Sequence, residues 1–170
     1  MAIPATGTYG ARDRCAGIQQ SVTGLARGTR VSTLDGALPV EYLEAGDRIV
    51  THQGAMVLRH VAARKLAAVQ PVVVRAGSLG LSQPSHDLVL APGQPVHLPD
   101  WRARVQFGSD KASAPVSKLV DGRDIFYMSA AIQLVVYDLE FDVVQVFHSA
   151  GVALVSAPMP VAAQYPVAAA

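Results

Sequence analysis

The residue types that most often carry chemistry are few in this chain and widely spaced. Cys15 is the single cysteine, and Ser85, His86 and Asp87 place the three residue types of a hydrolytic triad in consecutive order. Consecutive residues of an extended chain point to alternate faces, so we expect these three side chains not to form a Ser-His-Asp relay. His86 is therefore predicted to be a surface residue.

The other histidines, His52, His60, His97 and His148, stand singly in the sequence. Metal binding and acid-base catalysis need side chains that converge on one place, and no His-x-x-x-His pair or glycine-rich phosphate loop is present. With one cysteine, neither an intramolecular disulfide nor a cysteine zinc site can form. We expect ordinary surface or hydrogen-bonded positions for these histidines, and no catalytic, metal-ligating or cofactor-binding residue and no cofactor.

The composition favours one compact soluble domain. The chain has 170 residues, of which 51% are hydrophobic and 16% charged, so a core can form and disorder along the whole chain is excluded. The formal net charge of +1 gives no field that would attract nucleic acid or an anionic membrane. The sequence therefore predicts no nucleic-acid and no membrane partner, and leaves a protein partner and the oligomeric state open.

The two ends of the chain show no targeting signal. The first residues lack a basic segment followed by an apolar one, and the uncharged stretch after Val143 is interrupted by His148, Gly151 and prolines. These features predict a cytoplasmic protein, with non-classical export left open. Residues 1–23 and 157–170 lack periodicity and are predicted to be flexible tails.

Between the tails, short β-branched runs alternate with turn signals such as Asp35-Gly36, Gln53-Gly54 and Asp121-Gly122. Regular spacing of this kind predicts an all-β fold. In the clearest strand, three apolar residues alternate with acidic ones, at Tyr137, Leu139 and Phe141. The other predicted strands are Thr29 to Thr33, Arg48 to His52, Val72 to Arg75, Asp87 to Leu90, Pro95 to Leu98, Val143 to Phe147 and Val152 to Val155.

Three further segments are not predicted to be plain strands. Pro39 to Leu43 is predicted to be one helical turn, because proline suits the first helical position. Met56 to Val69 fits either a helix or a strand. Trp101-Arg102-Ala103-Arg104 is predicted to be a loop whose tryptophan either anchors a partner or stacks on an arginine.

Several blocks of the sequence carry a resemblance to a known family, in the order Gly28 to Gly36, Pro39 to Thr51, Arg75 to Gly80, Asp87 to Val96, Ala114 to Gly122 and Tyr137 to Gly151. Together they resemble the Hint domain, the Hedgehog/intein autoprocessing module, and its bacterial stand-alone branch in particular. The resemblance covers residues 24–156, flanked by the two tails, and implies a horseshoe of mostly antiparallel strands.

The resemblance also implies a chemistry, an acyl shift in which a Cys, Ser or Thr attacks the carbonyl that precedes it. The matching residue, four positions before Gly28-Thr29, is Gly24, which has no nucleophile to offer. The Thr-x-x-His element of the family matches Ala91 and Gln94, and Gln94 cannot supply a proton near neutral pH. Histidines of the family's late strands match Asp138 and Val144.

These matches predict a Hint-type pseudoenzyme, derived from a self-cleaving, protein-splicing module and acting as a binding or structural component. One alternative is an active autoprocessing domain that uses Thr23 or Cys15, although a slip to Thr23 would invert the buried face of its strand. Another is an unrelated β-barrel that binds a small ligand. If the resemblance holds, Gly24 must meet the Ala91 to Gln94 turn, with Asp138 bordering a partly apolar pocket.

Overall fold

The computed structural model describes residues 22–80, 82–98, 100–108 and 112–158. Most of the two predicted tails, residues 1–23 and 157–170, lies outside the described residues, and so does Cys15.

Nearly all regular structure in the described residues is extended. The strands are β1 (Leu25–Ala26), β2 (Arg30–Thr33), β3 (Gly36–Pro39), β4 (Arg48–Thr51), β5 (Gly54–Val57), β6 (His60–Val69), β7 (Val72–Val74), β8 (Leu88–Leu90), β9 (Pro95–Leu98), β10 (Ala112–Pro115), β11 (Ile125–Tyr127), β12 (Ile132–Glu140), β13 (Val146–Ser149) and β14 (Val152–Val155). One α-helix, α1 (Asp100–Phe107), and two 3-10 turns, Val40–Tyr42 and Val116–Leu119, complete the described part.

The strands form two sheets whose ladders are all antiparallel. The six-stranded sheet has the order β11-β7-β8-β1-β12-β6. The larger sheet runs β10-β9-β14-β13-β4-β2-β3, with β5 added on β4. The predicted all-β fold of mostly antiparallel strands is confirmed.

The sheets enclose one large apolar core, and a smaller buried cluster of Ala26, Ala91, Leu134 and Val136 lies next to Gly24. In β9 and β14, strict alternation sends every second residue inward. The largest fully buried side chains are Phe141, Phe147, Leu25, Ile49, Leu58, Leu88, Leu90, Leu98, Leu139 and Leu154.

The short strand β1 lies between β8 and β12, and this placement builds the site. Leu25 is paired with Leu90 on one side and with Tyr137 on the other. Gly24, one residue earlier, therefore lies beside the end of β8, where Ala91 follows, and beside Asp138 of β12.

The predicted strands agree with the observed ones to within a residue or two in most cases, and the bounds of β9 and β14 are as predicted. The helical turn expected after Pro39 is the 3-10 turn Val40–Tyr42. The ambiguous segment from Met56 to Val69 is extended, because β6 pairs along β12 and this pairing overrides the helical propensity of its alanines.

Two local predictions are wrong. The segment from Trp101 to Arg104 is part of α1 and not a loop; the buried Ala103 packs one face of this short helix into the core. The strand predicted from Val143 begins only at Val146, because Gln145 is fully buried and hydrogen bonded to Ser156, which leaves Val143 and Val144 at a solvent-exposed turn.

No helix in the described ranges has the length and apolar character needed to cross a bilayer.

Candidate functional site

The predicted meeting of Gly24 with the Ala91 to Gln94 turn is confirmed. The N–H of Gly24 donates to Oε1 of Gln94 at 3.0 Å, across 70 residues of sequence. The N–H of Ala91 donates to the carbonyl oxygen of Gly24 at 3.1 Å. Both the N–H and the carbonyl oxygen of Gly24 are thus hydrogen bonded to the turn that matches the family's Thr-x-x-His element.

Gln94 is held at both ends of its carboxamide. Its Oε1 accepts the Gly24 N–H, while its Nε2 donates to the carbonyl oxygens of Val155 at 2.9 Å and Pro95 at 3.3 Å. The residue is only 4% exposed. Gln94 therefore satisfies the amide nitrogen of the Thr23-Gly24 peptide bond, and its carboxamide has no proton to release to that nitrogen.

Residue 24 has no room for a side chain. The φ angle of Gly24 is +122°, and a Cβ there would lie 2.7 Å from Cβ of Val136, a fully buried residue of β12. The same Cβ would lie 3.4 Å from Oδ1 of Asp138. A side chain at residue 24 would therefore meet Val136 directly, and the partly apolar pocket expected beside Gly24 stays a prediction.

A charged cluster borders the carbonyl side of the same peptide bond. Nη2 of Arg64 donates to the carbonyl oxygen of Thr23 at 3.1 Å and also to Oδ2 of Asp138. The Thr23 hydroxyl donates to Oδ1 of Asp138 at 3.1 Å. The predicted place of Asp138 at the border of the site is confirmed, whereas the other late position, Val144, lies in the turn after β12.

Arg64 and Val136 are the site residues that the sequence analysis missed. They are opposite each other in the β12-β6 ladder. Val136 pairs also with Ala26 of β1, so the two ladders together bring Arg64 to Thr23 and Val136 to Gly24. Only the pairing of β6 with β12 reveals these positions, because an arginine or a valine on an extended segment is otherwise unremarkable.

Three of the histidines that stand singly in the sequence lie side by side in the structure. The ring centroid of His52 is 4.8 Å from that of His148 and 5.3 Å from that of His97. His148 is opposite Ala153 in the β13-β14 ladder, and alternation turns both outward. These rings share the solvent-facing side of the larger sheet, because neighbouring strands align positions that are far apart in sequence.

Burial lowers the pKa of His148, and the charge of neighbouring His52 lowers it further, although a hydrogen bond with the backbone of Val50 opposes both. A histidine whose pKa is lower in the folded than in the unfolded protein stabilises the fold above its ordinary pKa of about 6.5. That contribution is lost as the pH falls through the lower, folded-state pKa.

We therefore expect the free energy of unfolding to decrease between about pH 7.5 and pH 5.5, with part of this decrease removed by His148→Gln. Urea titrations at the two pH values measure it. His86→Gln, at an exposed histidine outside the cluster, is the matched control and should keep the full decrease. If the free energy of unfolding of His148→Gln decreases as much as that of the unaltered protein, His148 is not a source of the pH dependence.

The remaining residues considered in the sequence analysis lie outside the Gly24 site. Oδ1 of Asp87 accepts the N–H of Ala76 at 2.8 Å. Ser85 and His86 do touch, with Oγ 3.2 Å from Nδ1, because the chain bends there and is not extended. His60 pairs with the buried Glu140, Nδ1 to Oε2 at 3.2 Å. Among the described residues, no group of three or more His, Cys, Asp or Glu is arranged to hold a metal ion.

The fold is similar to that of inteins and intein-like domains. The structure is similar to a bacterial intein-like domain from Clostridium thermocellum, with a TM-score of 0.55, 14% identity and coverage of 81% of this chain and 100% of the other. It is also similar to the gp41-1 intein, with a TM-score of 0.52, 11% identity and coverage of 79% and 98%. For the MchDnaB-1 intein the TM-score is 0.51, the identity 14% and the coverage 78% and 99%. At these identities the likeness concerns the fold.

A family model described as the Hint domain matches residues 23–158. The chain belongs to the Hint domain family. No curated protein sequence matches it.

Proposed function

We propose that this Hint domain has lost self-cleavage and acts as a binding or structural component. The observation that carries the proposal is the packing at Gly24, where the family places its nucleophile. A Cβ at this residue would overlap Cβ of Val136 at 2.7 Å, so the position is closed to any side chain that could attack a carbonyl.

The groups around the Thr23-Gly24 peptide bond support the same conclusion. Its carbonyl oxygen receives a hydrogen bond from Arg64, and its N–H is bound by Gln94. An acyl shift also needs a nucleophile and a proton for the leaving nitrogen. Glycine at 24 and a carboxamide at 94 supply neither, so the remaining contacts hold the peptide bond in place and leave it intact.

Intact-mass measurement tests the loss of cleavage. We expect the purified protein to keep its full mass during prolonged incubation with dithiothreitol or hydroxylamine, because these reagents release a fragment only through an ester or thioester. A self-cleaving Hint domain treated in parallel is the control for the reagents. A fragment that begins at Gly24 would overturn the proposal.

The second candidate function is cleavage one residue earlier, with Thr23 as the nucleophile. It is favoured by the hydrogen bond from the Thr23 hydroxyl to Asp138, and by the Gly93 N–H that donates to the Val22 carbonyl oxygen at 2.8 Å. These contacts supply two of the elements of an acyl shift, a hydroxyl nucleophile held by a carboxylate and a donor to the carbonyl oxygen that it would attack. The same mass measurement separates the candidates, since this one predicts a fragment beginning at Thr23 that disappears in Thr23→Val.

A further inference from the structure

A pocket of about 430 Å³ lies on the larger sheet, away from Gly24 and its neighbours. Three segments that are distant in sequence form it: the β2-β3 hairpin, the bend that precedes β8, and the β13-β14 turn. Its lining residues are Arg30, Ser32, Ala37, Ser82, Gln83, Ser85, His86, Ala150 and Gly151.

Hydrogen bonds between the three segments hold this pocket open. The Ser149 hydroxyl donates to the carbonyl oxygen of Arg30 at 2.6 Å, which joins the β13-β14 turn to β2. The N–H of Ser85 donates to the carbonyl oxygen of Ala150 at 2.9 Å, which joins the bend to the same turn. The walls are thus fixed to one another, so a ligand would not have to order them.

The side chain of Gln83 lies close to Gly151 in the lining of the pocket. A Cβ at that glycine would come within 3.2 Å of Cγ of Gln83. Gly151 also has a φ of +86°, a conformation that glycine adopts without strain. Glycine at the turn therefore lets the amide of Gln83 reach into the lining.

The polar side chains of the lining can all donate hydrogen bonds, and they stand beside the small residues Ala37, Ala150 and Gly151. The lining has a guanidinium from Arg30, an imidazole from His86, hydroxyls from Ser32, Ser82 and Ser85, and no carboxylate. Arg30 donates a long bond of 3.4 Å to the carbonyl oxygen of Ala37, and none of the salt bridges within residues 22–80, 82–98, 100–108 and 112–158 includes it. A guanidinium group with several hydroxyls beside it is an arrangement that binds phosphate oxygens.

We propose that this pocket binds a small phosphate-bearing molecule, with Arg30 as the main anchor of the phosphate group. The volume lies within the usual range of small-molecule sites, about 300–1,000 Å³. Ser85 and His86 add a hydroxyl and an imidazole to the same lining, and the small residues Ala37, Ala150 and Gly151 leave space for the rest of the ligand. The proposal is independent of the loss of self-cleavage, because none of the lining residues belongs to the Gly24 site.

Titration of the isotope-labelled protein with inorganic phosphate and with glycerol 2-phosphate, followed by amide NMR shifts, tests the proposal. We expect saturable shifts centred on Ser85, His86, Ala150 and Gly151. Arg30→Gln should raise the dissociation constant at least about tenfold, since a charge-assisted hydrogen bond is lost. Ser85→Ala, a milder change in the same pocket, should raise it by a smaller factor.

Arg48→Gln is the matched control, since Arg48 is an exposed strand arginine outside the lining, and it should leave the dissociation constant unchanged. The spectrum of each variant without phosphate checks that it is folded. The proposal is wrong if the shifts fail to saturate, if Arg30→Gln and Arg48→Gln behave alike, or if acetate binds as tightly as phosphate.

Discussion

Replacing Gly24 by alanine should destabilise the fold by about 2–5 kcal/mol, because a strained backbone and an overpacked core add together. The φ of +122° is one that side-chain-bearing residues rarely adopt, and the new Cβ would lie 2.7 Å from Cβ of Val136. Neither atom can rotate away, since both are fixed to the backbone. Chemical denaturation of the variant, compared with the unaltered chain, measures the loss.

Gly36→Ala separates the two causes. Gly36 has a similar φ, +113°, and no atom lies within 4 Å of a Cβ built there. This control should therefore lose only the backbone component, about 1–2 kcal/mol. Equal losses in the two variants would show that the contact with Val136 is relieved without cost and would remove the main support for a closed nucleophile position.

The same contact bears on the proposed loss of self-cleavage. By the sequence analysis alone, Gly24→Cys would need at least Ala91→Thr and Gln94→His beside it before any cleavage is seen. The structure adds a further requirement, because Cβ of Val136 must also be removed. Val136→Gly should therefore reduce the loss caused by Gly24→Ala more than Val136→Ala, which removes Cγ2 at 3.1 Å but keeps Cβ.

The part of the site that the sequence could predict is the part that follows from motif spacing. Gly24, Ala91 and Gln94 stand at fixed distances from recognisable glycine and proline blocks, and Asp138 lies on a strand with clear alternation. Arg64 could not be found in this way, because its contact with Thr23 depends on the register of β6 on β12. Local patterns indicate which face of a strand is buried, but they do not specify which strand lies next to it.

The sequence predicts neither the histidine cluster nor the Ser85-His86 contact, for related reasons. His52, His97 and His148 come from strands and turns far apart in sequence, and only the strand order of the larger sheet brings their rings together. The sequence predicts an extended chain at Ser85 and His86, on which their side chains would point to alternate faces. The bend before β8 turns them toward each other. In both cases tertiary structure decides a contact that residue types alone leave open.

Gln94→Leu is expected to destabilise the protein by about 2–6 kcal/mol, because two polar groups at this buried residue would each lose a partner, at about 1–3 kcal/mol apiece. These groups are the N–H of Gly24 and the carbonyl oxygen of Val155. Leucine has nearly the volume of glutamine, so the loss reports the hydrogen bonds more than a cavity. The free energy of unfolding from denaturant titration measures it.

Gln133→Leu is the matched control, because Gln133 is an exposed residue of β12, and its replacement should change stability by no more than about 0.5 kcal/mol. A loss at Gln94 no larger than the loss at Gln133 would mean that the carboxamide does not support the fold. A large loss confined to Gln94 would mean that the position where the family has its proton donor now joins β14 to the chain before β1. Exchanging such a residue for histidine would break the hydrogen bonds it makes, which would link the proposed loss of self-cleavage to the stability of the fold.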